Sequence, residues 1–112
     1  MLDNFYLIDL YDIYGELLTK KQQTYFEDYY FDNLSLQEIS ENYNVSRNAI
    51  YNSLKETKAK LELFENKLNI YSKNKKIKEL VTIVEDERIK KELNDLIWKG
   101  WKYVWRYSIY QW

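Results

Sequence analysis

The chain has no cysteine and no histidine. Their absence removes thiolate and imidazole metal ligands, the usual nucleophile and base pairs, and any disulfide framework. A reducing compartment is therefore expected, and with it a cytoplasmic protein. Proline is also missing, and only Gly15 and Gly100 offer a glycine. Long helices can run without breakers, so an all-α fold is expected. No apolar run is long enough to span a bilayer. The opening "MLDNFYLIDLYDIYG" carries Asp3, Asp9 and Asp12 where a leader would carry basic residues, so it does not read as a signal peptide. At 112 residues the chain is expected to form a single helical domain over 1–112.

What is present is charge, sorted into blocks. Residues 1–45 hold nine acids against two bases, and residues 46–78 hold nine bases against three acids. Residues 79–97 turn acidic again, with six acids against three bases, and 98–112 hold three bases alone. The net charge of −1 is a cancellation. An enzyme built from this chain would have to run on carboxylates, such as Asp9 with Asp12 and Glu16, or Glu85 to Glu87 around Mg²⁺. Those spacings are ordinary for solvated helix faces, so no enzyme, no cofactor, no metal and no small-molecule substrate are expected.

Helical spacing organises the first half. From Leu2 to Tyr14, Phe5, Ile8 (or Leu7), Tyr11 (or Asp12) and Tyr14 suggest one helix, with Gly15 at the residue that ends it. Thr19 is placed to cap a second helix, whose inner face is Tyr25, Phe26, Tyr29 and Tyr30 and which ends near 31–33. Ser35 followed by Glu38 is a capping box, so a third helix begins at Leu36, with Ile39 and Tyr43 on its apolar stripe. Asn44 suits a left-handed turn, Val45 plugs it, and Ser46 caps the next helix. A helix-turn-helix over about 35–57 is the result.

That fourth helix has the most regular periodicity in the chain. Ile50, Leu54, Thr57, Leu61, Phe64, Leu68 and Tyr71 follow steps of four and three, a heptad seam. Run from Arg47 to Tyr71, it would be about 37 Å long at 1.5 Å per residue. Its outer half needs cover from the C-terminal helices, about 77–112, or from a second subunit. "SKNKK", Ser72 to Lys76, is expected to be the joint. Beyond it Ile77, Leu80, Val81 and Val84 suggest a short helix, and Ile89, Leu93, Leu96 and Ile97 a last one.

In helix-turn-helix docking the first residues of the second helix face the major groove. Ile50 and Leu54 are taken up by packing. The outward set is Arg47, Asn48, Tyr51, Asn52 and Lys55, with Lys58 further along. Arginine can fork onto guanine and asparagine onto adenine, while Ser46 or Lys55 can hold phosphates. The basic block begins at this point, which is the footprint of a nucleic-acid contact. The bland alternative is the wet face of a small helical bundle.

The stretch "LLTKKQQTYFEDYYFDNLSLQEISENYNVSRNAIYNSLKETKAKLELFENKL", residues 17–68, resembles the YlxM family of small bacterial proteins. The resemblance rests on "LT-K-Q", "YY", "LSL-EI" and "VSR-AIY", and the helix pair is also similar to region 4 of bacterial sigma factors. It implies an all-helical, helix-turn-helix, DNA-binding protein, with Arg47, Ala49 and Tyr51 on the family's "SR-A-Y" core. It also implies regulation of, or partnership with, the signal recognition particle pathway. The expected ligand is double-stranded DNA read by a homodimer; the particle's RNA or its GTPase is the alternative, bound as an accessory without sequence-specific DNA reading.

All four tryptophans lie in "WKGWKYVWRYSIYQW", residues 98–112. As a helix this tail would align Trp98, Trp101, Trp105, Ile109 and Trp112. It reads as a dimer or core-covering element, as an interfacial membrane helix, or as an extension added where a stop codon is read as tryptophan. The interface reading is preferred over membrane contact, because the heptad seam asks for cover.

Overall fold

The computed structural model describes residues 2–98, and side chains from residue 4 onward. The fold is all-α. Its helices are α1 (Leu2–Tyr14), α2 (Lys20–Tyr30), α3 (Leu36–Tyr43), α4 (Arg47–Leu68), α5 (Ile70–Ile83) and α6 (Glu87–Asp95), with a 3-10 turn at Gly15–Leu17.

Local chemistry sets most of the helix starts. Thr19 accepts from the Gln22 N–H while the Gln22 side chain accepts from the Thr19 N–H, and Ser35 and Glu38 repeat the arrangement for α3. Ser46 accepts from the Ala49 N–H at 3.0 Å, and Asp86 opens α6 by accepting from Arg88 and Ile89. These side chains satisfy N–H groups that a helix leaves unpaired in its first turn. Three turns use asparagine in the left-handed conformation, at Asn33, Asn44 and Asn69, with φ of 57°, 55° and 56°. In a chain with so little glycine, asparagine is the residue that tolerates this backbone.

Gly15 plays a different part from the one its position suggests. It does not close α1 in a left-handed turn but starts the 3-10 turn, and a Cβ there would lie 3.1 Å from the Tyr11 ring. Glycine is needed for close approach, not for positive φ.

Two apolar clusters share α4. In one, Tyr25, Ile39 and Ile50 are buried, with Leu34, Leu36, Val45 and Leu54 packed around them, which fastens α2, α3 and the start of α4 into the helix-turn-helix. In the other, Leu7, Leu10, Ile13 and Tyr14 of α1 join Leu18, Phe26 and Leu61. Adjacent residues of α2, Tyr25 and Phe26, thus serve the two cores separately. The Tyr11 ring stacks on Phe26 at 4.3 Å and 9°.

The buried face of α1 is in part the expected one, with Leu7 and Tyr14 buried, and in part not. Phe5 is 75 % exposed and Asp12 lies in solvent, while Leu7, Leu10 and Ile13 point inward. Apolar residues surround this helix, so spacing alone does not set its phase; the partners do. Tyr43 is likewise not buried on α3, though its ring packs 5.3 Å from Tyr25 and its hydroxyl donates to Asp28.

The seam of α4 is also shorter than the periodicity suggests. The helix stops at Leu68, which is 44 % exposed, and Asn69 turns the chain so that Tyr71 belongs to α5. "SKNKK" is therefore inside a helix, and the joint is Asn69. The start of α5 is satisfied from a distance: Ile70 N–H donates to the Tyr14 hydroxyl, Tyr71 N–H to Glu65 Oε1, and Ser72 N–H and hydroxyl to Glu65 Oε2. Cover for the outer half of α4 comes from α1, with Tyr14 donating to Glu65 at 2.6 Å and packing on Phe64. α6 packs on α5. Trp98 is held by Asn74, whose side-chain amide donates to the Trp98 carbonyl at 2.7 Å and accepts from its N–H at 3.0 Å. The rest of the tryptophan-rich tail, 99–112, lies outside the described residues.

Candidate nucleic-acid interface

The candidate interface is the outward side of α4 just after the Asn44 turn. With Ile50 fully buried, the helix has one rotational setting, and its other side faces solvent. Ser46, Arg47, Asn48, Tyr51, Asn52 and Lys55 are all exposed, and Lys58 is half-buried. Among the described residues the ion pair found is Lys90 with Glu87, so Arg47, Lys55 and Lys58 are not neutralised by a carboxylate. The Ser46 oxygen is engaged by Ala49 N–H, which leaves its hydroxyl hydrogen for an outside acceptor.

The structure divides the set between two sides of α4. Tyr51, Lys55 and Lys58, with Leu54, form one flank of the helix and border a cleft of about 380 Å³ closed by Tyr29, Tyr30 and Leu36. Arg47 borders a neighbouring cleft of about 540 Å³ that shares Tyr29, Tyr30 and Leu36 and includes Asn33, Ser35 and Glu38. Asn52 lies on the other flank, beside Thr19, Lys21, Gln22 and Glu56. At about 100° per residue, Arg47, Tyr51, Leu54, Lys55 and Lys58 fall within an arc of roughly 100°, and Asn52 lies about 60° beyond its edge.

Reading α4 alone missed Tyr29 and Tyr30. They look like core residues of an amphipathic α2, and their position beside α4 follows from how α2 crosses it. Tyr29 is 36 % exposed and meets Tyr30 edge-on with ring centroids 5.0 Å apart.

No group of three or more acidic side chains that could hold a metal ion occurs among the described residues, and no helix among them is long and apolar enough to cross a membrane. What the arrangement offers is hydrogen-bonding and cationic side chains on a rigid helix, presented beyond a tight turn. That defines the class: a helix-turn-helix protein. The comparison with known families agrees, because the family described as "Putative helix-turn-helix protein, YlxM / p13 like" (UPF0122) matches residues 1–99. The chain belongs to that family. It is 46 % identical over 92 residues to a UPF0122 protein of Ureaplasma urealyticum serovar 10, covering 82 % of this chain and 93 % of that one. A UPF0122 protein of Oceanobacillus iheyensis is 53 % identical over 74 residues, covering 65 % of this chain and 70 % of the other. One from Geobacillus is 45 % identical over 82 residues, covering 73 % and 74 %.

Proposed function

We propose that the protein is a non-enzymatic, cytoplasmic regulator that binds double-stranded DNA through the start of α4, as a homodimer presenting two such helices to related half-sites. The observation that carries this reading is the exposed start of α4, where Arg47 and Lys55, with no carboxylate paired to them among the described residues, lie on one flank and Asn52 on the other. Guanidinium and amide groups read base edges, and ammonium groups hold phosphates. Regulation of, or partnership with, the signal recognition particle pathway is the role attached to this interface, on the likeness to YlxM.

Fluorescence anisotropy with duplex DNA across a salt series tests it. Each phosphate neutralised contributes about −0.9 to the slope of log K against log salt. A flat salt response, together with unchanged binding in Arg47→Ala and Asn52→Ala, would refute the duplex reading.

A second reading is favoured by the lysines beyond α4, because Lys73 and Lys76 are exposed on α5, on a helix separate from the recognition helix. An accessory that binds the particle's RNA or its GTPase would use that surface. Co-purification with either, insensitive to Arg47→Ala but lost on Lys73→Glu with Lys76→Glu, would select it.

A further inference from the structure

The flank of α4 that carries Tyr51, Lys55 and Lys58 is walled by two tyrosines of α2. The rings belong to a different helix from the one that would enter a groove. No carboxylate lines this cleft. Its volume, about 380 Å³, lies in the range of small-ligand sites, roughly 300–1,000 Å³. Tyr51, at its edge, is 53 % exposed, and Arg47 borders the adjoining cleft, which Glu38 also lines.

We propose that this trough binds an unstacked nucleotide of a single strand, with its base against Tyr29 and Tyr51 and its phosphates against Lys55 and Lys58. Aromatic faces accept any base, and the lysines supply the charge that a sugar-phosphate chain needs. The site goes beyond duplex reading and does not require it. An apolar peptide would leave the lysine rim without counter-charge. An acidic peptide would satisfy the rim and leave the rings unused.

The test is anisotropy of labelled oligo(dU) and oligo(U), which differ only in the sugar, of about ten nucleotides with the full chain at low salt. Saturable binding of either is expected, and the tighter of the two identifies the sugar preferred. Loss of one stacked base corresponds to about tenfold weaker binding, so Tyr29→Ala is expected to lose roughly that factor. Tyr29→Phe keeps the ring and should bind within about twofold of the parent; it also separates lost stacking from lost folding. Duplex affinity should stay within about twofold in Tyr29→Ala, because Tyr29 lies outside the residues assigned to duplex contact. The proposal is overturned if neither oligomer saturates, if Tyr29→Ala binds as the parent does, or if an oligoglutamate peptide of matched length binds as tightly. If the oligomers bind and duplex DNA does not, the duplex reading fails while this one stands.

Discussion

Replacing Glu65 by glutamine should loosen the junction of α1, α4 and α5. Glu65 is 5 % exposed and accepts four hydrogen bonds, from Tyr14 at 2.6 Å, from the Ser72 hydroxyl at 2.7 Å, and from the Tyr71 and Ser72 N–H groups at 3.0 and 3.1 Å. None of these donors is a cation. The charge is held by oriented dipoles at the N-terminus of α5, where a negative group is stabilised. Glutamine keeps the shape and one acceptor oxygen but turns an NH₂ toward two of the donors. Each buried donor left unpaired costs about 1–3 kcal/mol, and Ser72 has partial recourse to water, so a total loss of about 2–4 kcal/mol is expected. For a domain near 100 residues each kcal/mol lowers Tm by about 4–8 °C, which makes the drop roughly 8–32 °C.

The pH dependence follows from the same contacts. Burial pushes the Glu65 carboxyl up, but the hydrogen bonds from Tyr14, Ser72 and Tyr71 outweigh it and hold the group below its ordinary value of 4.5. Because the folded pKa is the lower one, this contribution is fully present above 4.5 and is lost as pH falls through the folded value. Thermal melts followed by circular dichroism, at neutral pH and well below 4.5, should show a large gap between parent and Glu65→Gln that narrows in acid. A Tm within about 2 °C of the parent at neutral pH, or a gap that does not change with pH, would refute the reasoning.

Other perturbations probe separate links. Asn69→Ala keeps the β-carbon but loses the short polar side chain that lets asparagine tolerate a left-handed backbone, and should cost about 1–2 kcal/mol, whereas Asn69→Gly should be close to neutral; chemical denaturation of both distinguishes them. Leu10→Ala should cost about 2–5 kcal/mol by opening a cavity in the α1 cluster, while Phe5→Ala should change stability by less than about 0.5 kcal/mol, and the reverse order would mean that α1 is rotated. Arg47→Ala should cost about 1–3 kcal/mol at the preferred duplex and relax the choice of base there, whereas Lys55→Ala should weaken duplex binding about equally at every sequence and flatten the salt slope by about 0.9, both with Tm unchanged because the side chains are exposed.

The helix-turn-helix was legible because each of its signals is local. Ser35 and Glu38 satisfy N–H groups three residues away, Asn44 adopts its own backbone conformation, and Ser46 caps the helix it precedes. Ile39 and Ile50 then bury on faces that the spacing already marks. The outward row from Arg47 to Lys55 follows as the remainder of the same helix. Elsewhere the neighbouring residues were ambiguous. α1 is apolar on most sides, so which side became core was not written in its periodicity. The heptad steps continued through Asn69, which concealed the end of α4.

Composition and short-range chemistry were enough for the all-helical class, the Thr19 cap, the Ser35–Glu38 capping box, the Asn44 turn and the side of α4 left to solvent. Each of these depends on hydrogen bonds or steric limits within about one helical turn. Tertiary structure decided the phase of α1, the break at Asn69 and the tyrosine wall beside α4. Glu65 and Tyr14 supply the cap that α5 lacks in its own sequence, from 6 and 56 residues away. Tyr29 reaches the flank of α4 only because α2 crosses it. Such contacts are set by how helices pack in space, and residues distant along the chain become neighbours only once they do.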